Sequence, residues 1–226
     1  MVRAAPPPRR LVFSDVDETL IRQKSMFGFL DYYFARRDGP AGERHATAVR
    51  RDLEDLVGAG APRELANRRY YRAWAGQHSD EVHRWGRRWY AEQAASPDFF
   101  VTATVAALTR HRARGEPILL VSGSFPAVLA PLAEAVGASG LVCTRQEVSG
   151  GRFTGEILGD PVIGEGKRAA VRDVLARYPS VDPRECFGYG DHVSDLPMLE
   201  QVGNPVVVGG DPELLRRLTG ARTMRR

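Results

Sequence analysis

Only two of the chain's 32 basic residues are lysines, Lys24 and Lys167, and only two cysteines occur, Cys143 and Cys186. Cysteines so far apart, without metal-ligand spacing, argue against a disulfide scaffold and suit a reducing compartment, so a cytoplasmic protein is expected. Long apolar runs are missing too. No stretch approaches the length of a membrane span, and no membrane partner is expected. The opening ten residues, with Pro6-Pro7-Pro8 at their centre, lack the apolar heart of a secretory signal and read as a frayed tail. Net charge is also small. At +4 with a pI near 9.3, and with its basic residues scattered, the chain does not require a polyanionic partner. What remains is a chain of 226 residues, 43% hydrophobic, enough for one substantial core or one core with a small accessory lobe.

Leu11-Val12-Phe13-Ser14 is a short apolar run ending in acids, the pattern of a buried parallel strand whose tip emerges at the sheet's carboxyl edge. Asp15 then sits at that tip. From about residue 25 to 96 the pattern is helical, rich in arginine and aromatics, with Val82, Trp85 and Trp89 spaced to share one helix face. After Pro97, a helix near 102–114 leads to a second apolar strand at 117–121, then to Ser122-Gly123-Ser124 and another helix. Val148-Ser149-Gly150-Gly151-Arg152-Phe153 reads as a hairpin turn, because paired glycines supply the positive backbone angles it needs. A helix opening at Gly166-Lys167, a strand at 185–189, a helix from Ser194, a strand at 205–208 and a helix from Asp211 follow. Such alternation predicts an α/β fold with a doubly wound parallel sheet. The helical block is far longer than an ordinary connection and reads as an inserted α-helical cap, giving a core of residues 1–24 and 97–226 and a cap of 25–96.

Open α/β sheets bind ligands beyond the carboxyl ends of their strands, so the polar groups after each apolar run should converge. They are Asp15-Val16-Asp17-Glu18-Thr19, Ser122-Gly123-Ser124, Lys167 at a helix start, and Gly190-Asp191-His192-Val193-Ser194-Asp195. In this order and at these separations, the four segments resemble the motifs of the haloacid dehalogenase superfamily. The helical cap and the run from Gly188 to Leu199 look like its phosphoserine-phosphatase-like branch.

The resemblance implies a Mg²⁺-dependent phosphoric monoester hydrolase. Asp15 would be the nucleophile that forms an aspartyl-phosphate, and Asp17 the group that protonates the departing alcohol and then deprotonates water. It further implies that Mg²⁺ is held by Asp15, the Asp17 backbone carbonyl and Asp191, with Asp195 as a further ligand or a support for one. Ser122, the Gly123 amide and Lys167 would bind the transferred phosphoryl group. Taken singly, each motif has a plainer reading: the Asp15–Asp17 motif as a helix cap or closed turn, Ser-Gly-Ser as a helix cap, Asp191 and Asp195 as a solvated loop followed by a helix N-cap, Lys167 as a surface residue. Yet arginine supplies the positive charge elsewhere, which suggests that a compact ammonium is wanted at 167.

Glu18 stands where relatives often carry a small residue, and it either meets a substrate amine or faces solvent. Arg22 and Phe27, just inside the cap, are expected on the substrate side, with Phe27 as cap core the alternative; His192 either touches substrate or holds its loop. Phosphoserine phosphatases grip the amino acid with a cap glutamate and arginine. No cap segment here matches that pattern, so the expected partner is another small phosphate ester: a sugar, amino-sugar, polyol or amino-alcohol phosphate. A phosphotransferase or phosphomutase would use the same aspartyl intermediate. Arginines 68, 69, 72, 84, 87 and 88 alternate with Tyr70, Tyr71, Trp74, Trp85, Trp89 and Tyr90, a composition that also occurs on nucleic-acid surfaces. An amphipathic helix pair with its aromatics inward is the simpler expectation, and no nucleic acid is expected. Oligomeric state is not legible.

Overall fold

The computed structural model describes residues 8–226, so the tail expected at the amino terminus lies, through residue 7, outside the described residues. Strand β1 (Val12–Ser14) leads into four helices, α1 (Ser25–Asp38), α2 (Pro40–Gly58), α3 (Arg63–Arg72) and α4 (Ser79–Ala94). The chain returns through α5 (Thr102–Ala113) to β2 (Ile118–Ser122), α6 (Pro126–Val136) and β3 (Gly140–Cys143). A hairpin of β4 (Arg145–Ser149) and β5 (Arg152–Leu158) precedes α7 (Glu165–Ala176), β6 (Phe187–Gly190) and the short α8 (Leu196–Leu199). Then come β7 (Asn204–Val208), α9 (Pro212–Arg217) and β8 (Arg222–Met224).

Among the described residues, six strands form one sheet in the order β3-β2-β1-β6-β7-β8, every pair parallel. This is the doubly wound sheet expected. Successive residues of a strand face opposite sides, and Val12 accordingly joins the apolar cluster beneath the helical insertion while Leu11 and Phe13 join the one built with α7, α8 and α9. The order turns about β1, which has β2 on one side and β6 on the other. A crevice opens beyond the carboxyl ends at such a switch point, here at Ser14, Ser122 and Gly190.

Two strands were not expected. Strand β3, Gly-Leu-Val-Cys, is short and only half-buried at one edge, and β8, Arg-Thr-Met, carries no apolar run; each owes its conformation to backbone pairing with a neighbour. The helix expected from Ser194 is instead a 3-10 turn, Val193–Asp195, running into α8. Pro197 sits in the first turn of α8, where its missing N–H costs nothing.

The helical insertion is cemented to the core by aromatic rings around Phe125, which lies between β2 and α6. Phe29, Tyr71 and Trp74 lie 6.0, 5.7 and 5.4 Å from it, ring centre to ring centre. All four are buried, while Arg69, Arg72, Arg84, Arg87 and Arg88 are exposed. The interleaved pattern is thus an amphipathic one, with aromatics inward and guanidinium groups in solvent.

Candidate functional site

The tip of β1 is tied to β6 by the Asp15 amide, which donates to the Tyr189 carbonyl at 2.9 Å, and the chain then turns tightly with the Leu20 and Ile21 amides donating to the Val16 carbonyl. Glu18 takes a φ of 61° in this turn. Such a left-handed backbone costs a non-glycine residue free energy and persists only where surrounding contacts hold it. Here the Arg226 side chain donates through Nε to the Glu18 carbonyl at 2.8 Å, and Lys24 and Arg226 flank the Glu18 carboxylate at 3.9 and 3.6 Å.

The four motif segments meet beyond this turn. Lys167, 3% exposed at the start of α7, donates from Nζ to Asp15 Oδ1 at 2.5 Å and to Asp195 Oδ1 at 2.6 Å. The other Asp195 oxygen accepts the backbone amides of Asp191 and His192 at 3.0 and 3.2 Å, holding the loop after β6. Gly190 permits this: a Cβ there would fall 2.7 Å from that of Asp195. Asp191 accepts from Thr19 Oγ1 at 2.9 Å and from Arg226 Nη2 at 2.5 Å. Ser122, buried at the end of β2, accepts the Ser124 amide on Oγ at 3.1 Å. Asp17 Oδ1 accepts the Ser25 amide at 3.0 Å, so this carboxylate also caps the first helix of the insertion.

Four carboxylates therefore gather around one buried ammonium, with the Arg226 guanidinium at Asp191 as the other cation. Burial drives the Asp15 carboxyl well above its usual range against the pull of Lys167, and Asp195, Asp191 and Asp17 push the same way. Asp17 is raised to about 6 by burial, opposed by its hydrogen bonds from Ser25. Asp191 is likewise raised to about 6, by burial and then by Asp195. Burial alone would lower the Lys167 pKa, but Asp15 and Asp195 more than reverse this and hold it firmly protonated. Uncompensated negative charge of this kind is costly in a protein interior, and a cation relieves it. Asp15, Asp191 and Asp195 each offer an oxygen within 4.8 Å of the others, a donor set of hard oxygens that fits a divalent cation.

A cavity of about 810 Å³ lies over these groups and reaches up into the insertion. Its floor carries Asp15, Asp17, Ser122, Gly123, Lys167, Asp191 and Asp195, so the sequence-expected site residues on the strand tips share one space. Glu18, Phe27 and His192 also line it. Phe27 meets Tyr70 edge-on at 6.2 Å, with the Arg50 guanidinium 5.5 Å from its ring. His192 accepts the Ser194 amide on Nδ1 at 3.0 Å, beside Arg63 Nη1 at 2.9 Å. Burial and then Arg63 lower its pKa, which favours the neutral ring. Arg22 is not brought into the group: it is exposed, outside the cavity wall, and its amide donates to the Phe99 carbonyl at 2.9 Å. Sequence reasoning missed Arg226, which has no motif around it, and also Arg63 and Asn67 on α3. Asn67 carried a usable signal, because it shares the inward spacing of Tyr70, Tyr71 and Trp74 and is the one amide on that aromatic face.

The chain belongs to the haloacid dehalogenase-like hydrolases, whose family model matches residues 12–200. It is similar to a probable phosphatase of Mycobacterium tuberculosis, 28% identical over an alignment 227 positions long that covers 92% of this chain and 71% of the relative. A crystal structure of a Bordetella pertussis protein of unknown function matches with a TM-score of 0.81 and 27% identity, covering 96% of this chain and 98% of that one. A substrate-bound phosphoserine phosphatase has the same fold, with a TM-score of 0.66 and 17% identity over 97% of this chain and 94% of its own. No helix among the described residues is long and apolar enough to cross a membrane.

Proposed function

We propose that this protein is a Mg²⁺-dependent phosphatase that hydrolyses a small phosphorylated metabolite through a phosphoryl group carried on Asp15. The observation that carries this reading is the Lys167 ammonium held between Asp15 and Asp195, with Ser122 and Asp17 on the same cavity floor. The resemblance to a probable phosphatase supports it. Residues 25–96 would form the cap domain over a core of 1–24 and 97–226, and the cavity between them would exclude water from the reacting groups.

An Asp15 oxygen attacks phosphorus, the ester P–O bond breaks, and the departing alkoxide takes a proton from Asp17. Asp17 then accepts a proton from water, whose oxygen attacks phosphorus, so that inorganic phosphate leaves and the Asp15 carboxylate is restored. A carboxyl raised to about 6 suits this double duty, because it exchanges its proton near neutrality. Ser122 and the Gly123 amide hold phosphoryl oxygens, and Lys167 offsets their charge while orienting Asp15. Asp15, Asp191 and Asp195 are the side chains that would hold Mg²⁺, which when bound offsets the repulsion between anionic nucleophile and anionic ester.

The test is release of phosphate from a panel of small esters by purified protein. Turnover should need Mg²⁺ and should fall by at least about a thousandfold in Asp15→Asn, as when one member of a catalytic unit is removed. Turnover that survives EDTA, or an Asp15→Asn variant as active as wild type, would refute the reading.

A further inference from the structure

The helical insertion grips the loop after β2 through polar contacts. Asn67 Nδ2 and the Tyr71 hydroxyl both donate to the Gly123 carbonyl, at 3.0 and 2.7 Å. Ser25, the first residue of α1, adds a contact one residue further on, its hydroxyl lying 3.2 Å from that of Ser124. The Ser124 amide in turn donates to Ser122 Oγ at 3.1 Å, so this brace reaches the side chain proposed to hold the phosphoryl group. Ser25 also holds Asp17, through its amide at 3.0 Å and through its hydroxyl. Lys24, which precedes the helix, gives α1 no side-chain cap, and Asp17 takes that place from the turn after β1. Ser25 and Ser124 are 0% and 1% exposed, so their hydroxyls are held by these partners rather than by bulk water.

Fully buried and outside the cavity wall, Ser25 cannot touch a substrate, but it can fix the direction of a carboxyl that lines the cavity. A general acid works only when its proton lies within hydrogen-bond reach of the leaving oxygen, and a misplacement of about 1 Å costs rate steeply. Asp17 sits on the core side, on the turn after β1, whereas Ser25 belongs to the insertion. We infer that Ser25 is a positioning residue: it aims Asp17 at the leaving-group oxygen while its hydroxyl is braced on Ser124, so that acid catalysis requires the insertion to be seated on the phosphate-binding loop. The inference rests on the phosphatase reading and adds the condition under which its acid acts.

Leaving-group dependence reads this directly. p-Nitrophenolate departs from phosphorus without a proton, whereas the benzyl alkoxide needs one, and both esters would use the same Asp15, Ser122 and Lys167. The ratio of kcat/KM for benzyl phosphate to kcat/KM for p-nitrophenyl phosphate therefore isolates the service of Asp17 as an acid. In Ser25→Ala, which keeps the backbone amide, that ratio should fall by roughly tenfold to a hundredfold, whatever loss the two esters share. Ser124→Ala should lower it as well, and the double variant no further than Ser25→Ala alone, because the two hydroxyls act through one contact. A purely structural role for Ser25 would lower both esters together and keep the ratio. A ratio kept in Ser25→Ala, or losses that multiply in the double variant, overturns this inference and leaves the phosphatase reading standing. So does a wild type that hydrolyses p-nitrophenyl phosphate but not benzyl phosphate, since no acid would then reach the leaving oxygen. No phosphate from either ester would overturn both. Should Ser25→Ala fail to fold, Ser124→Ala decides the matter, and an unchanged ratio there overturns the inference.

Discussion

Asp17→Asn should make the metal-free protein more stable, and by an amount that depends on pH. The Asp17 carboxyl is raised from 3.8 to about 6, with burial as the main cause. A carboxylate whose folded pKa lies above its unfolded one stabilises nothing by ionising. Below about pH 3.8 both states are protonated and there is no penalty; as pH rises, the unfolded chain ionises first and the folded state loses ground until about pH 6, beyond which the penalty is constant. A shift of about two units corresponds to about 3 kcal/mol. Asparagine mimics the protonated acid and keeps an oxygen to accept the Ser25 amide, now at 3.0 Å, so the helix cap survives the substitution. The gain over wild type should therefore be about 1 kcal/mol near pH 4.5 and grow to at most about 3 kcal/mol by about pH 8. Urea unfolding in EDTA at the two pH values, with equal m-values checked, reads it directly. The variant should also lose its phosphatase activity, the trade expected where a functional group is kept at a cost in stability. A variant no more stable than wild type at the higher pH, or one equally more stable at both, would refute the burial argument.

The Arg226 guanidinium competes for Asp191, so Arg226→Ala should lower the half-saturating Mg²⁺ concentration, by roughly tenfold for loss of one charge-assisted contact; calorimetric Mg²⁺ titration showing unchanged or weaker binding would contradict this. Phe125 is fully buried among Phe29, Tyr71 and Trp74, so Phe125→Ala should cost about 3–5 kcal/mol in denaturant unfolding, and a cost below about 1 kcal/mol would mean that these rings do not cement the insertion to the core.

The motif residues were legible because their positions follow from strand geometry. A short apolar run ending in acids can only deliver those acids to a sheet edge, and the parallel order brings Asp15, Ser122 and Asp191 to the same one. The edge strands were not legible, since Arg222-Thr223-Met224 has no pattern of its own and forms by pairing with β7. Nor was the upper part of the site. Asn67 and Arg63 reach the cavity from α3, while Arg226 reaches Asp191 from the far end of the chain, and only the packing of the insertion around Phe125 decides which of the insertion's polar groups face the strand tips. Arg22 shows the converse: a charged residue near the first motif looked well placed, but its backbone bond to Phe99 carries it to the outer surface.

The scarcity of lysine has a physical counterpart at the centre of the site. Elsewhere arginine meets carboxylates at the surface, as in the forked contact of Arg69 with Asp52, where a planar, many-donor group gains from spreading its bonds. At position 167 the task differs. The cation must fit into a space 3% exposed and reach Asp15 and Asp195 from a single atom at 2.5 and 2.6 Å, and in the proposed mechanism it must leave room for a phosphoryl group beside them. A guanidinium would engage both carboxylates only by lying across them, covering the oxygen through which Asp15 attacks in the proposed mechanism. An ammonium concentrates its charge at one point and leaves that face of the carboxylate open. Its strong hydration would make burial unfavourable on its own, and the two acids that raise its pKa are what offset this. The pairing therefore runs both ways: Asp195, whose other oxygen holds the loop after β6, fixes Lys167, and Lys167 in turn fixes the Asp15 side chain.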